Sequence, residues 1–121
     1  MPNVELYEDA HGRCPFHIFC SEVQSSGGGK NAKVQLTQIF RQIRLLEEVG
    51  TRGLTGGAVK HIRDGIWELR PGNNRVLFFF WKEDTYVILH AFRKTTQQIP
   101  PQQLEQAERE VKDWISRHGQ K

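Results

Sequence analysis

The feature that most constrains the fold is an uncharged apolar run over residues 76–81, which lies between two polar turns. Pro-Gly-Asn-Asn at residues 71–74 precedes the run and Glu-Asp at residues 83–84 follows it, and both segments are typical of tight turns between strands. Because the run is apolar at every position, its strand should be covered on both faces. The pattern predicts an antiparallel meander of three strands, over residues 66–70, 75–82 and 85–93.

Two amphipathic helices are predicted before the meander. The first occupies residues 15–24 and is followed by a flexible serine- and glycine-rich link at residues 25–29. The second carries an apolar stripe at helical spacing over residues 36–49 and ends at Gly50. The two helices should therefore form a hairpin joined by the glycine link.

A third amphipathic helix is predicted after the meander, where the prolines at residues 100–101 precede an apolar stripe that ends at Ile115. A weak edge-strand signal at Val4 and Leu6 opens the chain. The predicted order is therefore β-α-α-β-β-β-α. It describes a small α+β fold in which two N-terminal helices and one C-terminal helix pack on an antiparallel sheet. A chain of 121 residues has room for one domain, residues 1–121.

Charge and hydropathy limit the classes of protein to which this chain can belong. Seventeen Lys and Arg against fourteen Asp and Glu leave a net charge of +3, which by itself identifies no partner. The longest uncharged apolar run has six residues, between Val76 and Trp81, whereas a membrane-spanning helix needs about 20. No basic segment followed by an apolar one marks a secretion signal near the N-terminus. The sequence therefore predicts a soluble cytoplasmic protein.

Two groups of residues resemble ligand sites but fail on spacing. The first comprises His11, Cys14, His17 and Cys20. On a helix, a spacing of three turns the outer two to opposite sides, whereas zinc ligands converge in two pairs. Neither cysteine has the orienting acid or oxyanion loop of a nucleophilic site, and the two are too far apart along a helix for a disulfide. The second group, Gly-Lys-Asn at residues 29–31, lacks the Ser or Thr and the preceding strand of a phosphate-binding loop. We predict no metal, no cofactor and a reducing compartment.

The remaining candidate is a set of cations at the ends of the predicted strands. Arg70 and Arg75 flank the turn between the first two strands, and the third strand returns beside them. That third strand carries His90, Arg93 and Lys94. Because antiparallel neighbours meet at the same end of a sheet, these cations should gather there. Guanidinium groups can stabilise negative charge on a transferring phosphoryl group, and an amine or imidazole can move a proton.

A second basic group, Lys60, His61 and Arg63, leads into the first strand of the meander. Together the two groups favour contact with RNA or another phosphate-bearing partner. The alternative is that the cations pair with Glu68, Asp64 or acids on the helices, as on an ordinary solvated surface. The residues alone leave both interpretations open.

Several segments resemble one family of proteins. Residues 59–70 read V-K-H-I-R-D-G-I-W-E-L-R and resemble the V-K-x-L-x-D-G-L-W-E-L-R signature of phage-derived HigB-type toxins in the RelE/ParE superfamily. Residues 75–80 resemble its Y-R-V-x-Y-F strand, with Asn74 in place of the usual aromatic residue. Residues 90–97 resemble its H-x-F-x-K-K-T-x strand end, and residues 9–15 match its D-x-x-G-x-x-P pattern before the first helix. The resemblance covers most of the chain.

The resemblance implies a RelE-like fold and the toxin of a type II toxin–antitoxin pair. Such relatives are endoribonucleases that cleave messenger RNA, typically on the ribosome, by attack of the ribose 2′-hydroxyl on the adjacent phosphate. On the matching positions, Arg70 and Arg75 would hold the phosphate and Arg93 or Lys94 would supply further charge. Lys94 or His90 would transfer a proton. The tandem lysine of the motif falls here within the stretch Arg93-Lys94-Thr95, and because arginine exchanges protons poorly, the general base stays open.

The resemblance also implies partners. These are a small antitoxin of the helix-turn-helix DNA-binding type, messenger RNA and the ribosome, with operator DNA bound only through the antitoxin and no membrane. Lys60, His61 and Arg63 would then contact RNA. Two other functions stay open, because fold does not determine function. One is a ParE-like toxin that inhibits gyrase without nuclease activity, and the other is an inactive relative that is kept for its protein partner.

Overall fold

The computed structural model describes residues 2–25 and 29–119, which form an α+β fold. In chain order its elements are β1 (Asn3–Leu6), α1 (Pro15–Ser25), α2 (Gly29–Gly53), β2 (Val59–Arg63), β3 (Ile66–Leu69), β4 (Asn74–Phe80), β5 (Thr85–Arg93) and α3 (Pro101–His118). The predicted fold class and helix order are confirmed, and one strand, β2, is added before the meander. Most of the predicted glycine link, residues 26–28, lies outside the described part of the chain.

The five strands form one mixed sheet in the order β1-β5-β4-β3-β2. From β2 to β5 each strand is antiparallel to the next, as the predicted meander requires. β1 lies parallel to β5, with Asn3 opposite Thr85, so the sheet is not antiparallel throughout. The alternation of polar and apolar residues predicts β1 as an edge strand. It does not indicate whether that strand runs parallel or antiparallel to its neighbour.

The sequence pattern does not predict β2. Its side chains are half-buried or exposed, so the strand lacks a strong apolar alternation. Asp64 and Gly65, with φ values of 53° and 80°, form the two-residue turn that joins β2 to β3. An Asp-Gly pair with positive φ at both residues is a strong hairpin signal. The turn chemistry, rather than hydropathy, is therefore the signal from which this strand could have been predicted.

Helices cover both faces of the sheet and give two apolar cores. α1 and α2 pack on one face, where the core comprises Phe16, Ile39, Leu46, Leu69, Val76, Phe78, Tyr86, Ile88 and Ala91. α3 packs on the other face, where the core comprises Tyr7, Ile66, Leu77, Phe79, Val87, Leu89, Phe92, Leu104, Ala107 and Trp114. Consecutive residues of β4 are fully buried on both sides, which confirms that this strand is central and covered on both faces.

A β-bulge in β5 changes which face its last residues point to. Leu77 pairs with His90 and Phe78 pairs with Ile88, so that Leu89 is the extra residue in the ladder. Leu89 and His90 consequently both face α3, whereas regular alternation would turn them to opposite faces.

α2 spans 25 residues and is interrupted where the sequence predicts its end. Gly50 has a φ of 69°, a conformation that favours glycine. The following residue, Thr51, donates its backbone N–H to the hydroxyl of Tyr86 at 3.2 Å, which ties this helix end to β5. No helix in the described part of the chain is both long and apolar enough to cross a membrane.

Candidate functional site

The candidate site is built around the carboxylate of Glu68, on β3. Its Oε1 accepts a hydrogen bond from Nε of Arg70 at 3.0 Å and lies 3.9 Å from Nε of Arg75 on the neighbouring strand β4. The Glu68 side chain is 5% exposed, whereas Arg70 is 32% and Arg75 is 12% exposed. A nearly buried acid therefore holds two guanidinium groups side by side at one end of the sheet.

Arg75 is the more constrained of the two arginines. Its Nη1 donates to the carbonyl oxygens of Gly72 and Asn74 at 2.9 and 2.8 Å, which fixes the guanidinium against the β3–β4 turn. Burial lowers the pKa of Arg75, the charge of Glu68 opposes this shift, and the charge of Arg70 adds to it. An arginine stays protonated at neutral pH despite such a shift. An oriented and partly desolvated guanidinium is suited to bind a phosphate oxygen.

Two lysines extend this arrangement. Lys60 on β2 lies opposite Glu68 in the strand register, and opposite side chains of an antiparallel pair are about 5 Å apart at Cβ. Lys94 continues the β4–β5 ladder by donating its backbone N–H to the Asn73 carbonyl at 2.7 Å, and it lines a narrow crevice with Glu68 and Arg75. Within the described residues, its ammonium group has no hydrogen-bond or ion-pair partner. We call these residues the cation cluster: Lys60, Arg70, Arg75 and Lys94, arranged around Glu68.

Arg93 lies at the same end of the sheet but on the opposite face. Its Nη1 donates to Oε1 of Gln35 on α2 at 3.3 Å, whereas Lys94, the next residue, turns toward the face that α3 covers. The pleat of a strand requires this separation, since successive side chains point to opposite faces. The four cations that the meander is predicted to gather therefore share one end of the sheet and occupy both of its faces.

His90 is buried away from the cation cluster, against α3. Its Nδ1 lies 2.6 Å from Oε1 of Glu110, and its Nε2 lies 2.9 Å from Oε1 of Gln103. The side chains of His90 and Glu110 are 3% and 7% exposed. Both ring nitrogens are thus engaged by α3, and the geometry favours a role in attaching that helix to β5.

The three basic residues of β2 lie in different surroundings. Lys60 belongs to the cation cluster. His61 packs edge-to-face on Trp67, with ring centroids 4.9 Å apart. Arg63 donates to a carboxylate oxygen of Glu108 on α3 at 3.3 Å, with both partners substantially exposed. Arg63 therefore has the geometry of an ordinary surface ion pair.

Within the described residues, the cysteines and histidines near α1 form neither a nucleophilic site nor a metal site. Cys14 and Cys20 are free thiols. Burial raises the pKa of Cys20 to about 11, with a smaller contribution from Cys14, so the Cys20 thiol is protonated at neutral pH and a poor nucleophile. No three His, Cys, Asp or Glu side chains of residues 2–25 and 29–119 are grouped so that they could hold a metal ion.

The importance of two residues in this region is not predicted from the sequence. It treats Glu68 only as an acid that cations could pair with, although the alternation of β3 already puts Glu68 and Arg70 on the same face. It assigns Asn74 to a turn, whereas Asn74 begins β4 and is 1% exposed. Glu68 and Asn74 are both polar residues in strands whose other residues are mostly buried and apolar. That contrast is the sequence signal that could have identified them.

The family model of phage-derived Gp49-like proteins (DUF891) matches residues 31–112, which include all but the first two residues of α2, the whole meander and the entire cation cluster. The chain therefore belongs to this family, which is a family of RelE/ParE-like toxins. The resemblance to the RelE/ParE superfamily is confirmed at this level, and the HigB type stays a prediction. No curated protein matches the chain.

Proposed function

We propose that this chain is the toxin of a type II toxin–antitoxin pair, of the HigB type, and that it cleaves messenger RNA at the cation cluster. The observation that carries the proposal is the cluster itself, in which four cations share one face and one end of the sheet with a single carboxylate. An excess of positive charge of this kind attracts the RNA backbone, and oriented guanidinium groups bind phosphate oxygens.

The proposed reaction transfers the phosphodiester within the RNA strand. The 2′-oxygen attacks the adjacent phosphorus while its proton passes to a base, and the bond from phosphorus to the 5′-oxygen breaks. The products are a 2′,3′-cyclic phosphate and a 5′-hydroxyl, which takes up a proton. Arg70 and Arg75 bind the non-bridging oxygens, whose negative charge grows in the transition state. Lys60 binds a neighbouring phosphate.

Lys94 is our candidate for proton transfer. Lys94 lines the same crevice as Arg75, and its ammonium group has no partner among the described residues. An amine can exchange a proton, whereas a guanidinium cannot at neutral pH. His90 is the weaker candidate, because Glu110 and Gln103 lie within hydrogen-bond distance of its two ring nitrogens. Arg93 faces α2 and would bind RNA beside the reacting phosphate.

The proposal includes the partners that the resemblance implies. A cognate antitoxin, of the helix-turn-helix DNA-binding type, would neutralise the toxin and bring it to operator DNA. Messenger RNA on the ribosome would be the substrate in the cytoplasm. His61 and Arg63, on the outer strand β2, would add contacts to the RNA or to the ribosome.

Substitution of the cluster tests the proposal. Arg75→Ala and Lys94→Ala should each lower the rate of messenger RNA cleavage by about two to three decades, because each removes about 2–4 kcal/mol of transition-state stabilisation. Arg75→Lys should restore part of the activity, since it keeps the charge and loses the bidentate fork. The measurement is primer extension on a translated message in cells that express each variant without antitoxin. Arg109→Ala, which removes an exposed cation on α3, is the matched control and should cleave normally.

Two outcomes would contradict the proposal. Full cleavage by both alanine variants would exclude the cluster as the catalytic site. Absence of cleavage by the unmodified protein, together with DNA damage that depends on gyrase, would instead identify a ParE-like toxin. Circular dichroism and antitoxin binding by each variant show that loss of cleavage does not come from loss of the fold.

A further inference from the structure

The crevice that Arg75 lines is closed by one short segment of the chain. Residues 95–99 lie between β5 and α3, and all five of them line this crevice together with Glu68 and Arg75. We call this segment the strap. The space that it leaves is about 10 Å³, which holds one water molecule at most. A phosphate group, with four oxygens around its phosphorus, therefore cannot enter while the strap lies in this position.

The strap covers one of the two arginines that Glu68 holds and leaves the other open. Arg75 pairs with Phe92 in the strand register, so its side chain lies on the face that α3 covers, where the strap leads. The Arg75 side chain is 12% exposed, and its Nη2 has no hydrogen-bond partner within the described residues. Arg70 is 32% exposed and does not line the crevice.

Both ends of the strap are fixed by backbone hydrogen bonds. Before it, Lys94 donates its N–H to the carbonyl oxygen of Asn73 at 2.7 Å, which continues the β4–β5 ladder. After it, the carbonyl oxygen of Pro100 accepts the N–H of Gln103 at 3.0 Å, in the first turn of α3. A movement of the strap can therefore leave β5 and α3 in place.

Between these ends the strap is weakly attached. Among residues 2–25 and 29–119, no hydrogen bond joins it to the rest of the molecule. Its one hydrogen bond is internal, from the hydroxyl of Thr96 to the carbonyl oxygen of Gln98 at 2.6 Å. Residues 95–98 are exposed, whereas Ile99 is half-buried and packs against the core under α3. Segments with so few buried contacts open locally at a small cost in free energy.

We propose that the strap is a gate over Arg75, which opens by release of Ile99 to admit a phosphate of the RNA strand. The inference rests on the proposed function for its ligand and adds a conformational step before that phosphate binds Arg75. Because Arg70 stays open in the closed state, contact with the RNA backbone precedes the full clamp by both arginines. The fraction of open molecules then sets the apparent affinity for the phosphate.

Arginine modification tests the gate without any RNA. Phenylglyoxal reacts with accessible guanidinium groups, and peptide mass spectrometry of the full chain gives the rate at each arginine. Arg75 should react more slowly than Arg70 in the unmodified protein. Ile99→Ala should raise the rate at Arg75 about five- to tenfold, because the closed strap loses part of its apolar burial. Arg70 is the internal reference and should react at the same rate in both proteins.

A longer strap is the second variant, which stays informative if Ile99→Ala folds poorly. Two glycines inserted between residues 97 and 98 lengthen an exposed stretch and leave the core intact. Because closing a longer segment costs more conformational entropy, the rate at Arg75 should rise here as well.

Each variant has a matched control. Ile115→Ala shortens another half-buried isoleucine that packs against the same core, away from the crevice. Two glycines inserted between residues 56 and 57 lengthen a different exposed loop. Neither control should change the rate at Arg75, and circular dichroism shows that all four variants are folded.

Binding of a short single-stranded oligonucleotide with 2′-deoxy sugars supplies the second measurement, because this probe cannot undergo the proposed reaction. Both strap variants should bind it more tightly than the unmodified protein, by about the factor by which Arg75 reacts faster. The bound probe should also protect Arg75 from phenylglyoxal.

The outcomes separate this inference from the proposed function. Faster reaction of Arg75 in both strap variants, without RNA cleavage by the unmodified protein, would retain the gate and reject the nuclease. RNA cleavage with the same rate at Arg75 in strap variants and controls would overturn the gate and leave the nuclease standing. Weaker oligonucleotide binding by both strap variants would make the strap a contact for RNA rather than a cover, and would also overturn the inference.

Discussion

Glu68 is the acid around which the candidate site is organised. Its side chain is nearly buried, and one of its oxygens faces the Nε atoms of Arg70 and Arg75 at 3.0 and 3.9 Å. The carboxylate reduces the positive charge of the cluster and at the same time restricts the orientation of both guanidinium groups. In the proposed nuclease, Glu68 is thus a positioning residue that acts through the two arginines.

Glu68→Gln separates these two effects, because glutamine keeps an acceptor oxygen and removes the charge. We expect the variant to be about 1–3 kcal/mol less stable, since two partly buried guanidinium groups lose their counter-ion. It should bind single-stranded RNA about threefold more tightly at low salt and cleave bound RNA about ten- to hundredfold more slowly, because the phosphate contacts lose their orientation. Urea unfolding, fluorescence titration and single-turnover cleavage measure the three quantities.

Glu108→Gln is the matched control, since it removes the same charge from the exposed pair with Arg63. An exposed pair contributes under about 1 kcal/mol, so this variant should keep its stability and its cleavage rate. If Glu68→Gln behaves like Glu108→Gln in all three measurements, Glu68 is an ordinary ion-pair partner and its positioning role is excluded.

At the residue scale, the sequence predicts which cations reach the end of the sheet but not all of their directions. Arg70 and Arg75 follow from strand topology alone. The faces to which Arg93 and Lys94 point depend on the phase of the pleat, and that phase is set by the bulge at Leu89. A bulge adds one residue to a strand without a distinct hydropathy signal, so the direction of each later side chain cannot be read from alternation.

At the scale of elements, the bulged end of β5 is attached to α3 by polar groups inside the core. Oε1 of Glu110 faces Nδ1 of His90 at 2.6 Å, and Nε2 of Gln106 donates to the other oxygen of Glu110 at 3.0 Å. Apolar contacts of Leu104 and Ala107 flank this group. The attachment fixes the start of α3 and, with it, the segment at residues 95–100 that walls the crevice of the cation cluster.

Glu110→Ala should therefore destabilise the fold by about 1–3 kcal/mol, because it leaves the buried His90 ring without its closest partner. Glu105→Ala, an exposed change on the same helix, should alter the free energy of unfolding by less than about 0.5 kcal/mol. Urea unfolding followed by tryptophan fluorescence reports both. Equal stability of the two variants would show that the apolar contacts alone attach α3.

Elements with strong periodicity are predicted well here, and elements defined by turns are not. The apolar stripe predicts α2 and its end at Gly50, and the meander is predicted because β4 is apolar on both faces. β2 is missed because its hydropathy is weak, although the Asp64-Gly65 turn marks it. The consequence is functional, since Lys60 joins the cation cluster only through the pairing of β2 with β3.

At the scale of the whole molecule, the N-terminal segment is joined to the C-terminal helix by a polar link that no local pattern predicts. The Tyr7 hydroxyl donates to Oδ2 of Asp113 at 2.6 Å, between residues 106 positions apart in the chain. Arg117 donates to Asp113 at 2.8 Å and also to the backbone carbonyl of Glu8. Contacts of such separation depend on the assembled fold, because only the packing of α3 brings these side chains together.

This link gives the molecule a predictable dependence on pH. Hydrogen bonds from Arg117 and Tyr7 lower the pKa of Asp113, and hydrogen bonds from the backbone of Arg13, among others, lower that of Asp9. A carboxyl group whose pKa is lower in the folded state stabilises that state above its unfolded pKa of about 3.9. The stabilisation is lost as the pH falls through the folded value. The free energy of unfolding should therefore be level near neutral pH and fall below about pH 5.

Asp113→Asn tests the whole-molecule link, because asparagine still accepts the Tyr7 hydroxyl and does not titrate. Its free energy of unfolding should be lower than that of the unmodified chain at pH 7 and should fall less steeply in acid, so that the two curves converge near about pH 3. Arg117→Gln should show the same reduced slope, and combining it with Asp113→Asn should add little, since the two residues act through one contact. Urea unfolding at intervals between neutral and acid pH measures these slopes. A slope in Asp113→Asn as steep as that of the unmodified chain would show that the acid sensitivity arises elsewhere and that the N-terminal segment is held to α3 without the charge of Asp113.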